Sequence, residues 1–276
     1  MKKLIKFFET FFGKAYRDGL AAYAAQATFF VMLSFFPFIM VMALIASKLS
    51  IENSNVVEYF ASVVPPAFRE YVYQVADEIM NENSNSFTII SGLISLWSAG
   101  KGIQALSRGL DKIYEIEEKK NFFISRIWSA VYTLIFMFMC LFLIILHIFG
   151  TEIGRRITDT YPDLKKATIL ILSLKTVITL VIIFMFVFIM YVKLPNRKSR
   201  IVFEMPGAAV ASGMLMIMTK GFTMYVKYIS VDSPMYGSLT SIVLALIWLY
   251  LCIQIILYGS EINYYVQKAV IQHQKS

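Results

Sequence analysis

Apolar runs long enough to cross a bilayer recur along this chain, and no soluble fold could hide that many. "LAAYAAQATFFVMLSFFPFIMVMALIA" is one and "SIVLALIWLYLCIQIILY" is another. A helix rising 1.5 Å per residue needs about 20 apolar residues to cross roughly 30 Å of hydrocarbon. Across 276 residues, 58% are hydrophobic and only 16% charged. Inside lipid the backbone must satisfy its own hydrogen bonds, which helices do. The sequence therefore predicts an all-α integral membrane protein.

Six spans are expected, over 20–46, 87–110, 127–149, 169–191, 206–228 and 238–258, in one transmembrane domain covering 20–265. Lysine and arginine then set the orientation. Lys2, Lys3, Lys6, Lys14 and Arg17 precede the first span. Lys101, Arg108, Lys112, Lys119, Lys120 and Arg126 surround the second connection, and Lys193, Arg197, Lys198 and Arg200 follow the fourth span. The opposite connections carry fewer. Both termini are thus expected to be cytoplasmic, with 266–276 as a tail. The net charge of +8 is mostly this topological signal and gives no reason to invoke nucleic acid.

Residues 1–19, "MKKLIKFFETFFGKAYRDG", form a basic amphipathic stretch rather than a cleavable signal. It is expected to lie as an interfacial helix with Phe7, Phe8, Phe11 and Phe12 in lipid. The first connection, 47–86, is extracytoplasmic and contains a helix opening on "PPAFREYVYQVADEIM".

Several polar groups sit where lipid-facing residues would be cheaper. In the first span, Tyr23, Gln26 and Ser34 share a face expected to look inward, and Pro37 should kink the helix. In the second, Ser91, Ser95, Ser98, Gly102, Ala105 and Gly109 recur at spacings of three and four and form a small-residue face, either a packing seam or the lining of a pore or cavity. Lys175 and Lys220 lie in the outer halves of the fourth and fifth spans, where a charge costs roughly 3 kcal/mol or more at full depth. They either snorkel outward or line a basic cavity for an anionic group, with Arg155, Arg156, Lys165 and Lys166 at its mouth. In the sixth span Gln254, Tyr258, Glu261 and Tyr265 share one face, expected to turn inward and hold the bundle together; Glu261 is either a boundary or structural residue or a buried structural or proton-handling carboxylate. An arginine from the connection after the fourth span could neutralise Glu261.

The chain offers no chemistry of catalysis. Its cysteines, Cys140 and Cys252, lie inside apolar runs, and its histidines, His147 and His273, form no ligand set. There is no phosphate-binding glycine loop and no nucleophile motif. No catalytic residue, metal or cofactor is expected, and the chain is not expected to be an enzyme.

The motifs "YAAQATFFVMLSFFPFI", "LWSAGKGIQALSRGLDKIY", "KLPNRKSRIVFEMPGAAVASG", "YGSLTSIVLALIWLY" and "GSEINYY" resemble the YihY/BrkB family in the same order, over about 21–265. That resemblance implies a six-span protein of the bacterial inner membrane, with transport proposed for members. The family's recurring positions fall here on Ser34, Pro37, Trp97, Pro195, Asn196, Pro206, Gly207, Tyr236, Gly237, Trp248, Gly259, Glu261 and Asn263. A transfer-RNA-processing ribonuclease label once given to members finds no support in the residues above.

Two roles are open. In the first, the chain is a permease for an anionic or amphiphilic molecule or a phospholipid. Lys175, Lys220, Gln26 and Ser34 would then bind substrate, and Pro37, Tyr236, Gly237, Gln254, Tyr258, Glu261 and Asn263 would build or gate the bundle. In the second, the chain is a scaffold that docks another envelope protein or a second copy of itself.

Overall fold

The computed structural model describes residues 2–48, 73, 85–116, separate helical positions from 127 to 142, and residues 165–197, 200–228 and 237–275. Tyr236, His147, Arg155, Arg156 and nearly all of the 47–86 connection lie outside the described residues. The main elements are α1 (Lys2–Arg17), α2 (Leu20–Lys48), α3 (Asn85–Ile113), α4 (Lys165–Lys193), α5 (Ile201–Tyr228) and α6 (Gly237–Lys275). Helical residues of the expected third span include Ile127, Tyr132 and Phe142. No strand occurs among the described residues.

Among the described residues, stretches long and apolar enough to cross a membrane are Leu174–Lys193, Ile201–Tyr225 and Ile242–Gln272. The helices overrun their expected bounds. Lys165 and Lys166, expected on a connection, begin α4, and α5 starts at Ile201, ahead of Pro206. The last helix has 39 residues, about 58 Å at 1.5 Å each, so its final turns must leave the hydrocarbon.

Stop signals explain the ends. Gly19, at φ 67°, closes α1 in the left-handed region, where a missing Cβ removes the steric cost. The end of α3 is a Schellman motif without glycine. The Ile116 N–H donates to the Asp111 carbonyl (2.9 Å) and the Glu115 N–H to that of Lys112 (3.1 Å), with Glu115 at φ 57°.

α3 packs most extensively on α2, and α5 on α6; α4 packs on α5, α6 also touches α2 and α3, and α1 lies against α2 and α6. The small-residue seam explains the first pair. Ser98, Gly102, Ala105 and Gly109 are all buried. A Cβ on Gly102 would lie 2.8 Å from Val31 Cγ2 and 3.2 Å from the Ala27 carbonyl oxygen. Gly102→Ala is therefore expected to cost about 1–3 kcal/mol, measured by thermal unfolding in detergent.

α2 turns Ala24, Ala27 and Thr28 to this seam, which puts Gln26 on the opposite, exposed side. The inward placement expected of Gln26 does not hold: the small side chains, which let α3 approach, take the buried face. Ser34 is buried, and its hydroxyl donates to the carbonyl of Val31 in its own helix (2.7 Å). The helix continues through Pro37.

Burial is uneven along α4, α5 and α6. Among the described residues, the buried side chains of α4 and its following turn begin at Val187, those of α5 end at Ser212 and those of α6 begin at Ile253. Each set lies toward the end of the bundle that carries α1 and the 194–200 connection, called here the basic end.

Candidate functional site

The basic end holds a buried polar cluster built around Glu204, which is 0% exposed. Glu204 sits in the first turn of α5, where an acid is favoured by the helix dipole. The Arg197 guanidinium donates to Glu204 Oε1. The Tyr114 hydroxyl (2.8 Å) and the Asn263 amide nitrogen (3.0 Å) donate to its Oε2. Arg197 also donates to Gln267 Oε1 at 2.6 Å and lies over the Tyr114 ring, its Cζ 3.4 Å from the centroid. Burial first, and then the adjacent Glu204 carboxylate, push the Tyr114 hydroxyl well above its ordinary range, so it remains a donor.

Asn263 also holds α5 to α6 through the backbone. Its Oδ1 accepts from the Gly207 N–H (2.6 Å) and its Nδ2 donates to the Glu204 carbonyl (3.1 Å). The Gly207 N–H and the Glu204 carbonyl lie in the first two turns of α5, beside Pro206, which itself has no N–H to offer. The two backbones meet at Gly207 and Gly259, where a Cβ on Gly207 would collide with the Gly259 carbonyl oxygen. Behind them Tyr191, fully buried in α4, donates to the Ile256 carbonyl at 2.5 Å.

The connection from α4 to α5 is pinned to the end of α3. The Asn196 N–H donates to Asp111 Oδ1 (2.7 Å), and Ser107 Oγ donates to the Leu194 carbonyl (3.1 Å). From the other side, α1 closes the cluster. Lys14, 7% exposed, pairs with Asp18 and donates to the terminal α3 carbonyl of Ile113 at 3.0 Å, a favourable place for a cation. Phe11 is buried and packs against Tyr258 and Tyr265, so it is held in the bundle rather than in lipid; Phe12 is exposed.

The stripe on α6 meets α1 and α3 at this end. Tyr265 donates to the Thr10 carbonyl (3.2 Å), and its neighbour Tyr264 donates to Glu115 (2.8 Å). Gln254 is half-buried and donates to Tyr250 (2.8 Å). Glu261 is 0% exposed, and neither of its oxygens has a hydrogen-bond partner among the described residues. The expected arginine from the α4–α5 connection goes elsewhere: Arg197 pairs with Glu204, which opens the helix that directly follows its own connection.

The two membrane lysines stand apart from this cluster. Lys220 is exposed on α5 and Lys175 half-buried on α4, and neither has an ion-pair partner among the described residues. Glu204, Tyr114 and Tyr191 were not singled out from sequence. The signal for Glu204 was its place two residues before Pro206, beside basic "RKSR". Tyr114 carries no such signal, because it lies past the apolar run of its helix.

The fold and this cluster define a helical membrane protein tied together by buried polar contacts at one end. Residues 11–276 match the model of the family described as virulence factor BrkB, and the chain belongs to that family. It is 31% identical over 250 residues to the ribonuclease-like protein YfkH of Bacillus subtilis, covering 89% of each chain. It is 24% identical to a UPF0761 membrane protein of Vibrio parahaemolyticus, over 94% of this chain and 81% of that one. A UPF0761 membrane protein of Prosthecochloris aestuarii is 26% identical, over 94% of this chain and 61% of that one. No solved structure matches the chain.

Proposed function

We propose that this protein is a six-span permease of the bacterial inner membrane, both termini cytoplasmic, moving an anionic or amphiphilic molecule without catalysing its conversion. The supporting observation is the uneven packing of α4, α5 and α6. Among the described residues their buried side chains gather at the basic end, and none is buried from 213 to 225 in α5 or from 242 to 252 in α6. A bundle closed at the cytoplasmic end and loosely packed toward the other is an outward-facing arrangement. The cluster around Glu204 is then the closed inner gate.

Lys175 and Lys220 lie in the loosely packed halves and suit an anionic headgroup. The exposed position of Lys220 favours a substrate that reaches the site from the bilayer as well as from water. The test is flux in proteoliposomes loaded separately with inorganic phosphate, a short-chain carboxylate and a fluorescent anionic phospholipid. One class is expected to move saturably, with Lys175→Ala/Lys220→Ala lowering kcat/KM at least about tenfold, the equivalent of 1.4 kcal/mol. No flux of any probe by folded protein would contradict the permease reading and favour a scaffold.

A further inference from the structure

The basic end buries two carboxylates in opposite ways. Glu204 accepts from Arg197, Tyr114 and Asn263 and is built to carry a charge. Glu261, on the facing helix, is equally buried and has no donor on either oxygen among the described residues. An ionised carboxylate in such a place would lose its hydration with nothing in return, a cost that carboxyl groups escape by taking up a proton. When two acids are placed in environments this different, their protonation roles separate.

Among the described residues, the charged and titratable groups that bear on Glu261 are few. Lys14 and Asp18 reach it from α1 and the turn after it, and Tyr258 and Tyr265 share its own helix. Lys14 is already committed, pairing with Asp18 and donating to the Ile113 carbonyl. It is therefore shared between Asp18 and the end of α3 and is not a dedicated counter-ion for Glu261. The α1 helix covers this region through Phe11 and the Thr10 carbonyl. These contacts are on the side a proton would have to enter from the cytoplasm.

We propose that Glu261 is a proton-binding site that couples opening of the basic end to cytoplasmic pH, loaded and unloaded on the cytoplasmic side as α1 lifts from α6. The step is a single proton transfer. Hydronium at the cytoplasmic face gives up one proton and becomes water, the carboxylate becomes a carboxylic acid, and the site goes from −1 to neutral. The coupling role rests on the permease reading; the proton site does not.

The test separates them. Infrared difference spectra of the full chain in lipid nanodiscs are recorded across a pH jump. The folded wild type is expected to have a protonated-carboxyl band at neutral pH that shifts in heavy water and vanishes at alkaline pH. Glu261→Gln, a neutral isostere, is expected to remove that band. If that variant does not fold, Glu261→Asp is expected to move the band instead. No protonated-carboxyl band in the wild type, or a band unchanged by either substitution, overturns the proton site. In proteoliposomes, flux indifferent to the pH on the cytoplasmic side, with the band present, overturns coupling alone. A band with no flux of any probe leaves the proton site standing and overturns the permease.

Discussion

Arg197→Ala destabilises the protein by about 3 kcal/mol, the lower end of the 3–5 kcal/mol range for breaking a buried ion pair. The substitution strands Glu204, which is fully buried, while Arg197 itself is 18% exposed on its side chain. The loss is not larger because Tyr114 and Asn263 still donate to the carboxylate. Stacking on Tyr114 and the bond to Gln267 are lost with the same residue. Adding Glu204→Gln to Arg197→Ala recovers much of the loss, because the stranded charge is gone. Glu204→Gln alone, which leaves the guanidinium facing a neutral amide, costs less than Arg197→Ala. Equilibrium unfolding of the three variants in detergent checks the order; a double variant no better than Arg197→Ala would contradict the pairing as described.

Gly207→Ala is more disruptive still. The added methyl meets the Gly259 carbonyl oxygen and lies 2.5 Å from Asn263 Oδ1, and neither can step aside. One is backbone, and the other is fixed by its own bonds to Gly207 and Glu204. α5 and α6 must separate, breaking those bonds and opening the contact behind Tyr191 and Ala211. The expected cost exceeds about 3 kcal/mol, the upper end for overpacking, because lost hydrogen bonds add to it. Gly213→Ala on the same helix is the control. Nothing lies within 4 Å of its added methyl, so helix propensity alone acts and stability rises by up to about 1 kcal/mol. Folded yield and unfolding temperature of the pair distinguish a close helix contact from general intolerance of change in α5.

These effects fall where the sequence was only partly legible. The apolar runs announced membrane helices, since period and length suffice for that. The spacing of Ser98, Gly102, Ala105 and Gly109 announced a packing face because small residues leave room for another backbone. Asn263 and Glu261 stood out as polar groups on a long apolar helix. The groups gathered around Asn263 did not stand out. Glu204 and Arg197 lie in the basic stretch around the α4–α5 connection, where charges are cheap and each reads as a topology marker. Burial made them a site, and burial depends on Asn196, Asp111 and Ser107 folding that connection onto α3. No local period carries such long-range contacts. Gln26 was misplaced for a related reason: polarity suggested an inward face, but the alanines beside it made the better helix contact.

If the basic end is a gate that opens during transport, locking it must stop flux. Tyr264 on α6 reaches Glu115 at the end of α3 at 2.8 Å, near the surface and outside the Glu204 cluster. Glu115→Cys/Tyr264→Cys, joined by a reducible bifunctional thiol reagent, would hold these helices together. With Cys140 and Cys252 replaced by serine, flux of the transported probe is predicted to stop on cross-linking and return on reduction, while either protein carrying only one of the two introduced cysteines is unaffected by the reagent. Unchanged flux through the fully cross-linked protein would contradict the gate.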